Sequence, residues 1–305
     1  MRYVVTGAAG FIGSHLAEAL LARGDEVVGV DCFTDYYDPG LKEENARGLD
    51  VRRIDLAEEP LELDGVDGVF HLAGQPGVRS FGEAFPLYLR RNVLATQRVF
   101  QAASGAGVRV VYASSSSVYG EAERYPTPED TPPRPISPYG VTKLACEHLA
   151  AAYRSGFGLD AVLLRYFTVY GPRQRPDMFF RRVCDLLALG GIFEIYGSGE
   201  QSRSFTEVGD AVAATIAAMD GGATGVVYNV GGGEEASMLE AIALLERASG
   251  RTLGVRHVDA ARGDVRRTKA DVTRIRDALG WEPRVGLAAG LERMWAWASA
   301  RVAAR

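Results

Sequence analysis

Two patterns of apolar and polar positions alternate along the first half of the chain. Apolar runs typical of buried strands occupy residues 2–7, 25–31, 51–55, 66–74, 109–120 and 160–167. Apolar residues at helical spacing occupy residues 13–24, 85–107 and 138–155. Buried parallel strands are near-continuously apolar, whereas the helices that connect them are amphipathic. The alternation predicts an α/β fold, a Rossmann-type doubly wound parallel sheet.

The alternation loosens after residue 171. Helical patterns follow at 178–191, 207–219, 237–250 and after 287, with strand patterns at 192–199 and 225–233. We therefore predict a Rossmann domain over residues 1–168 and a smaller C-terminal α/β substrate-binding domain over 169–305. Segments near 204–230 are expected to return to the first domain, so the boundary is not a single cut.

Composition and charge exclude several classes of partner. The chain has 305 residues, 47% of them apolar and 24% charged, and a formal charge of −5. This balance favours neither nucleic-acid nor membrane binding. The three cysteines, Cys32, Cys146 and Cys184, are scattered without metal-ligand spacing. They indicate reduced thiols and no metal site. With no apolar run of membrane-spanning length and no signal peptide before the first strand, we expect a cytoplasmic protein.

Three glycines stand between the first strand and the first helix. The stretch "VVTGAAGFIG" places Gly7, Gly10 and Gly13 at G-x-x-G-x-x-G spacing. Glycines allow a tight turn and a close approach of the backbone to a pyrophosphate, which the unpaired N–H groups of the helix N-terminus then bind. The alternative is a glycine-rich turn without a ligand.

Acidic residues end the next two strands. Asp31 ends the second strand, where an acid accepts hydrogen bonds from ribose hydroxyls, and no arginine follows it directly. A 2′-phosphate would be repelled there, which favours NAD over NADP. Asp55, followed by Leu56, ends the third strand and either bonds the adenine amino group or caps a helix. His71 is expected to pack under the fourth strand rather than to act as a base.

A tyrosine and a lysine lie four residues apart in "SPYGVTK". Ser137 is placed to cap a helix and Pro138 suits its first position, so Tyr139 and Lys143 share one face. A nearby ammonium and the positive nicotinamide ring both favour the phenolate, which makes Tyr139 a usable general base. Two surface residues at i and i+4 are the alternative interpretation.

The order of the motifs resembles that of extended short-chain dehydrogenase/reductases. "TGAAGFIG", Asp31, "FHLAG", "YASSSSVYG", "SPYGVTK" and "LRYFTVYGPRQRPDMF" follow one another as in the NAD-dependent nucleotide-sugar epimerase/dehydratase branch. "DCFTDYYDPGLK" and "YFTVYGPRQRPDM" are similar to UDP-glucuronate 4-epimerases in particular. The resemblance spans nearly the whole chain. It departs at Gly74, where that family has alanine, and glycine should be harmless there.

The resemblance implies a set of cofactor and catalytic residues. Ser115 is similar to the serine or threonine that hydrogen-bonds the reacting hydroxyl, and it acts with Tyr139 and Lys143. The residues expected to bind NAD are Gly7, Gly10, Phe11, Ile12, Gly13, Asp31, Asp55, Leu56, Leu72, Ala73, Gly74, Tyr139, Lys143 and Tyr166.

Two serines after Ser115 favour epimerisation. Related 4,6-dehydratases have an Asp-Glu pair at these positions and related decarboxylases a glutamate at the second, whereas this chain has Ser116 and Ser117. Elimination then lacks its acid, which leaves oxidation at carbon 4, rotation of the 4-keto sugar and reduction from the other face. The expected reaction interconverts UDP-glucuronate and UDP-galacturonate.

The resemblance also implies a uronate substrate. Ser116, Ser117 and Thr168 are expected to form a hydroxyl-rich cradle for a carboxylate, and Arg175 is similar to an active-site arginine of the uronate enzymes. Alternatively, the serines fill a strand end and Arg175 pairs with Asp177. For the UDP group we expect contacts from Phe179, Tyr196, Gln201, Arg203 and Arg266.

Other functions stay open at this point. They are a UDP-glucose or UDP-N-acetylglucosamine 4-epimerase, a UDP-glucuronate decarboxylase, and a non-catalytic NAD-binding module. The resemblance further implies a homodimer in which helices 85–105 and 138–155 pair with their copies in a four-helix bundle.

Overall fold

A computed structural model describes residues 1–77, 82–259 and 265–303. Strands β1 to β13 of these residues are Arg2–Thr6, Glu26–Asp31, Val51–Arg53, Gly68–His71, Arg109–Ser115, Ala161–Tyr166, Thr168–Tyr170, Ile192–Tyr196, Ser202–Glu207, Val227–Val230, Glu235–Ser237, Gly254–Val258 and Arg267–Thr268. Helices α1 to α10 are Phe11–Arg23, Pro39–Asn45, Phe85–Tyr88, Ala95–Ala106, Pro138–Phe157, Phe179–Leu189, Val208–Gly221, Met238–Ser249, Thr273–Leu279 and Leu287–Ala303.

Seven parallel strands form the larger sheet. Their order is β10-β6-β5-β4-β1-β2-β3, so β2 and β3 extend from one side of β1 and β4 lies on the other. This reversal of strand order creates a crevice outside the carboxyl ends of β1 and β4, where ligands of doubly wound proteins bind. The predicted Rossmann-type fold class is confirmed.

Helices cover both faces of this sheet. On one face, α1 and α7 bury residues such as Leu16, Leu20 and Ala214 against the strands. On the other, α4 and α5 bury Phe100 and Cys146, among others. A fully buried leucine contributes about 1.5–3 kcal/mol relative to an exposed one. The continuously apolar strands are explained by this two-sided burial. None of the helices in the described ranges is long and apolar enough to cross a lipid bilayer.

The C-terminal part builds two smaller sheets. Strand β9 pairs with β7, β11 and β13, and β12 pairs with β8. Helices α6, α8 and α10 pack against them around a separate apolar core. Within residues 204–230, α7 and β10 lie with the larger sheet, and β10 pairs in parallel with β6. The domain limits 1–168 and 169–305 stay a prediction.

The helix predicted over residues 85–107 is not continuous. A π-helical segment, Leu89–Leu94, separates α3 from α4. Asn92 of this segment is buried, and its side-chain amide bonds both the N–H and the carbonyl of Gln75, at 2.6 and 3.1 Å. It also donates to the hydroxyl of Thr142 at 3.0 Å. The distortion thus carries a side chain that connects the loop after β4 to α5.

Candidate active site

A cavity of about 740 Å³ opens at the carboxyl ends of the central strands, between the larger sheet and the C-terminal part. Its lining contains every residue that the sequence analysis predicts for cofactor or substrate, with the exception of Arg266. Segments more than 150 positions apart in the chain therefore meet around one cavity.

The glycine turn at one end of the cavity is sterically closed to larger residues. Gly7 has a φ of +71°, and a Cβ on it would lie 2.9 Å from the amide nitrogen of Ala73. A Cβ on Gly13 would lie 2.1 Å from the carbonyl oxygen of Gly7. Gly10 caps α1 without a side-chain hydrogen bond, so the first N–H groups of the helix keep their donor capacity. The turn fits a pyrophosphate, as the sequence predicts.

Asp31 is oriented by the backbone around it. One oxygen of its carboxylate accepts from the N–H of Ala9 at 3.2 Å, and the other accepts from the N–H of Phe33 at 2.8 Å. The sequence analysis found no arginine directly after Asp31, but Arg53 of β3 is its register partner. Arg53 stacks on the Phe33 ring and forms a salt bridge with Glu43, which balances its charge.

Asp55 makes the contacts of a turn cap. Its carboxylate accepts from the N–H of Ala57 at 3.0 Å and from the guanidinium of Arg90 at 2.8 Å. The capping alternative is therefore observed, while both Asp55 and the buried Leu56 line the cavity. The contact of Asp55 with adenine stays a prediction.

The loop after β4 forms the opposite wall. Leu72, Ala73 and Gly74 line the cavity, and a Cβ on Gly74 would lie 3.0 Å from the amide oxygen of Asn92. Alanine, the residue expected here from the resemblance, would crowd that amide, so glycine leaves it room. Tyr166 also lines the cavity from the end of β6, and its hydroxyl lies 2.5 Å from that of Thr215.

His71 is a buried structural residue. Its ring nitrogens lie 2.7 Å from the hydroxyl of Thr6 and 3.0 Å from that of Thr96. Burial, with a smaller contribution from the positive charge of Lys143, lowers the pKa of His71 to about 3. A buried neutral ring that contacts two hydroxyls at the end of β4 fits the predicted packing role.

Tyr139 and Lys143 lie at the start of α5, where Ser137 accepts a hydrogen bond from the N–H of Gly140 at 3.1 Å. Lys143 is buried, and its ammonium donates to the carbonyl oxygen of Ala113 at 2.7 Å. The same ammonium lies 5.8 Å from the centre of the Tyr139 ring. The helix start thus holds a phenol beside a fixed cation.

Ser115 ends β5 and begins a 3₁₀ turn, Ser116–Val118. Its hydroxyl accepts from the N–H of Ser117 at 3.1 Å and lies 3.1 Å from the Ser117 hydroxyl. A Cβ on Gly140 would lie 2.5 Å from the carbonyl oxygen of Ser117, so this glycine lets α5 approach the serine turn. The cavity wall therefore combines three hydroxyl groups with the phenol of Tyr139.

Like Thr168, Arg175 lines the cavity. Its guanidinium donates to both carboxylate oxygens of Asp177, at 3.0 and 3.1 Å. Asp177 also accepts from the hydroxyl of Tyr36 at 3.3 Å. The pairing that the sequence analysis weighed as an alternative is therefore present, but within the cavity lining. Tyr36 and Asp177 lie within quoted motifs, but the sequence analysis did not assign either of them to the site.

The far end of the cavity belongs to the C-terminal part. Phe179, Tyr196, Gln201 and Arg203 line it, and Arg203 donates to the carbonyl oxygen of Val265 at 2.6 Å. The side chain of Arg266 is exposed and outside the lining, since the chain there turns its backbone rather than its guanidinium inward. Its role in binding the diphosphate is not supported by this placement.

Two lining arginines, Arg91 and Arg182, escaped the sequence analysis. Arg182 lies one turn after Phe179 on α6 and stacks on the Phe193 ring, 4.9 Å from its centre. No motif surrounds it, and most arginines of a chain are solvated, so only the packing of α6 on β8 reveals it. Among the described residues, Arg182 is a further candidate for binding an anionic group in the cavity.

Comparisons with known proteins agree with this geometry. A family model described as "NAD dependent epimerase/dehydratase family" matches residues 3–231. The crystal structure of a UDP-glucuronic acid 4-epimerase from Bacillus cereus, in complex with UDP-glucuronic acid and NAD, superimposes with a TM-score of 0.95. The two chains are 39% identical, over 99% of this chain and 100% of the other.

Two curated relatives match the full length. A protein named "Uncharacterized UDP-glucose epimerase YtcB" from Bacillus subtilis is 40% identical over 98% of both chains. The UDP-glucuronate 4-epimerase of Thermodesulfobacterium geofontis is 34% identical, over 98% of this chain and 97% of its own.

Proposed function

The chain belongs to the NAD-dependent epimerase/dehydratase family, and from this premise we propose that it is a UDP-glucuronate 4-epimerase. It interconverts UDP-glucuronate and UDP-galacturonate through a 4-keto sugar. The observation that carries the proposal is that one cavity is lined by Ser115, Ser116, Ser117, Thr168, Tyr139 and Arg175, with no carboxylate in the serine turn.

The cofactor is NAD, which when bound would supply a hydride acceptor and donor for carbon 4. The glycine turn and the first turn of α1 hold the pyrophosphate through backbone N–H groups. Asp31 accepts from the ribose hydroxyls, since its carboxylate faces the cavity from the end of β2. Of the predicted cofactor residues, all line the cavity, which supports their assignment.

Three side chains position the 4-hydroxyl of the sugar and transfer its proton. As the phenolate, Tyr139 takes the proton of the 4-hydroxyl and becomes neutral, and the fixed ammonium of Lys143 offsets the phenolate charge before that transfer. Ser115 orients that hydroxyl by hydrogen bonding. After the keto sugar has rotated, the hydride would return to the opposite face of carbon 4, and Tyr139 returns the proton to the 4-oxygen. The cofactor is regenerated in each turnover.

The site must hold the uronate carboxylate without promoting decarboxylation. A 4-keto uronate is a β-keto acid, which loses carbon dioxide when the carboxylate bond aligns with the ketone π system. The hydroxyls of Ser116, Ser117 and Thr168 can hold the carboxylate out of that alignment by donating hydrogen bonds. Arg175 adds a charge-assisted contact.

Product analysis with separate substrates tests the function. The purified protein is incubated with UDP-glucuronate and, separately, with UDP-glucose, and the products are resolved by NMR. We expect UDP-galacturonate from the first incubation and little or no UDP-galactose from the second. Inversion of UDP-glucose alone would favour the activity in the name of the B. subtilis relative. A UDP-pentose product would identify a decarboxylase.

We also propose a homodimer through α5 and the segment before α4. Leu89 and Leu94 of the π-helical segment are 43% and 40% exposed, and Val141 of α5 is 44% exposed. These elements pack side by side, which supports a shared apolar face that a second copy would cover. Sedimentation should give a dimer, and Leu94→Glu combined with Val141→Glu should give a monomer. A monomeric wild-type chain would contradict the proposal.

We also propose a cytoplasmic location. All three cysteines lie in described ranges and are free thiols. Fractionation of the source cells, with the protein detected by antibody, tests this location.

A further inference from the structure

A buried carboxylate lies one helical turn beyond the catalytic lysine. Glu147 follows Lys143 by four positions on α5, and its side chain is 7% exposed. One carboxylate oxygen accepts from the hydroxyl of Ser114 at 2.5 Å and from Nε of Arg165 at 2.9 Å. The other oxygen accepts from a terminal nitrogen of Arg165 at 2.6 Å. Glu147 thus joins α5 to β5 and, through Arg165, to β6.

These contacts lie directly beside the proposed catalytic serine. Ser114 precedes Ser115 in β5, and Arg165 is the register partner of Ser114 in β6. One turn earlier on α5, Lys143 donates to the carbonyl oxygen of Ala113. Two successive turns of the helix are therefore bonded to two successive residues of the strand that ends in Ser115.

A gain in folding stability does not explain the ion pair between Glu147 and Arg165. Removing a carboxylate and a guanidinium from water is unfavourable. Proteins in which well-packed apolar residues replace such a pair are often as stable or more stable. What the pair does supply is direction, because a bidentate guanidinium fixes the plane of the carboxylate.

A comparable group ties the same two strands at their opposite ends. Asp160, just before β6, accepts from Arg109 at 2.8 Å and from the hydroxyl of Thr224 at 2.5 Å. This group also joins an arginine, a carboxylate and a hydroxyl, but it lies at the amino ends of β5 and β6, away from the cavity. It provides a matched control.

We propose that Glu147, oriented by Arg165, is a positioning residue that sets Ser115 against Tyr139 and Lys143. The inference rests on the proposed function, since it takes those three side chains as the catalytic ones. Small displacements of reacting groups lower the rate strongly, whereas substrate binding depends on the rest of the cavity. Removing the contacts of Glu147 should therefore lower kcat and leave KM nearly unchanged.

Ser114→Ala tests the proposal with the ion pair intact. We expect kcat for the UDP-sugar to fall at least about tenfold and KM to stay within about threefold. Ser114→Thr keeps the hydroxyl and should restore kcat to within about threefold. Thr224→Val, the matched control, removes the corresponding hydroxyl at the amino end and should leave kcat within about twofold. All variants are assayed at a temperature well below their thermal midpoints.

A double variant separates geometry from stability. Glu147→Gln alone leaves a buried guanidinium unpaired and is expected to fold poorly, so Glu147→Leu is combined with Arg165→Met. This variant should regain a thermal midpoint near that of the wild type while kcat remains at least about tenfold reduced. Recovery of kcat together with stability, or an unchanged kcat in Ser114→Ala, would overturn the inference. A wild-type chain that inverts none of the UDP-sugars would overturn the proposed function as well.

Discussion

Asp177 holds the guanidinium of Arg175 through two hydrogen bonds of 3.0 and 3.1 Å while Arg175 lines the cavity. Tyr36, from the loop after β2, donates to the same carboxylate at 3.3 Å. Asp177 therefore orients Arg175, and a bound uronate would share that guanidinium with Asp177. The contact also connects the loop beside Asp31 with the loop that follows β7.

Replacing Arg175 should affect uronate binding selectively. A hydrogen bond to a charged group is worth about 1.5–3 kcal/mol, so Arg175→Gln should raise KM for UDP-glucuronate about 10- to 100-fold. The inhibition constant of UDP-glucose, which has no carboxylate, should stay within about threefold. Arg173→Gln is the control, since Arg173 pairs with Glu18 outside the cavity lining. An unchanged KM for UDP-glucuronate in Arg175→Gln, or an equal rise in Arg173→Gln, would contradict a direct contact between Arg175 and the carboxylate.

Removing the phenolic hydroxyl of Tyr139 should abolish most of the activity without releasing NAD. General-base catalysis typically contributes about 10²- to 10⁴-fold, and Tyr139→Phe should lose that much in kcat. The cofactor should remain, since the glycine turn and Asp31 are untouched. Product formation is followed by NMR, and NAD released by heat is measured by its absorbance. A Tyr139→Phe protein with wild-type turnover would remove Tyr139 from the mechanism.

A single methyl group at Gly13 should prevent cofactor binding. Gly13→Ala would place a Cβ 2.1 Å from the carbonyl oxygen of Gly7, so the turn must open. We expect loss of bound NAD and a lower thermal midpoint. Gly105→Ala is the control, because a Cβ there meets nothing within 4 Å. In α4 it should instead stabilise the fold by about 1 kcal/mol. Retention of NAD by Gly13→Ala would contradict the close approach.

Burial of neutral His71 predicts a pH-dependent stability. Its pKa of about 3 in the folded state lies below the usual value of about 6.5 for an unfolded chain. The neutral ring is therefore favoured in the folded protein, and this contribution is lost as the pH falls from about 6.5 towards 3. Urea unfolding at several pH values measures it. His71→Asn, less stable at neutral pH, should show a shallower fall of the unfolding free energy over this range. An identical slope in both proteins would exclude His71 as the cause.

The sequence predicted the larger sheet well because most of its strands, though not the edge strand β3, are buried on both faces. In Arg2–Thr6, for example, four of five residues are buried, and the helix that follows ends at a glycine. Strand Ser202–Glu207 was missed, since it is largely polar and its pairing with Thr168–Tyr170 depends on residues far away in the chain. The π-helical segment was missed because apolar spacing does not distinguish it from an α-helix.

Site residues were likewise predictable where a local motif specifies them, and not where they depend on contacts between distant parts of the chain. Residues within a local motif, such as Gly7 and Tyr139, could be assigned because each motif prescribes its own strand, turn or helix start. Tyr36 and Asp177 are 141 positions apart, and nothing in either loop indicates that they meet. Arg266 was predicted because a guanidinium matches a phosphate group, and the structure leaves its exposed side chain outside the cavity lining.

The return of Val227–Val230 to the edge of β6 bears on how this protein can be cut or recombined. Between β6 and this strand the chain leaves the larger sheet, builds β7 to β9 and comes back. A fragment that stops at residue 168 would expose β6 as a bare edge with a row of unpaired backbone groups, which invites aggregation. The nucleotide-binding half is therefore not a transplantable module, and chimaeras of such chains should exchange residues 227–230 together with the N-terminal segment.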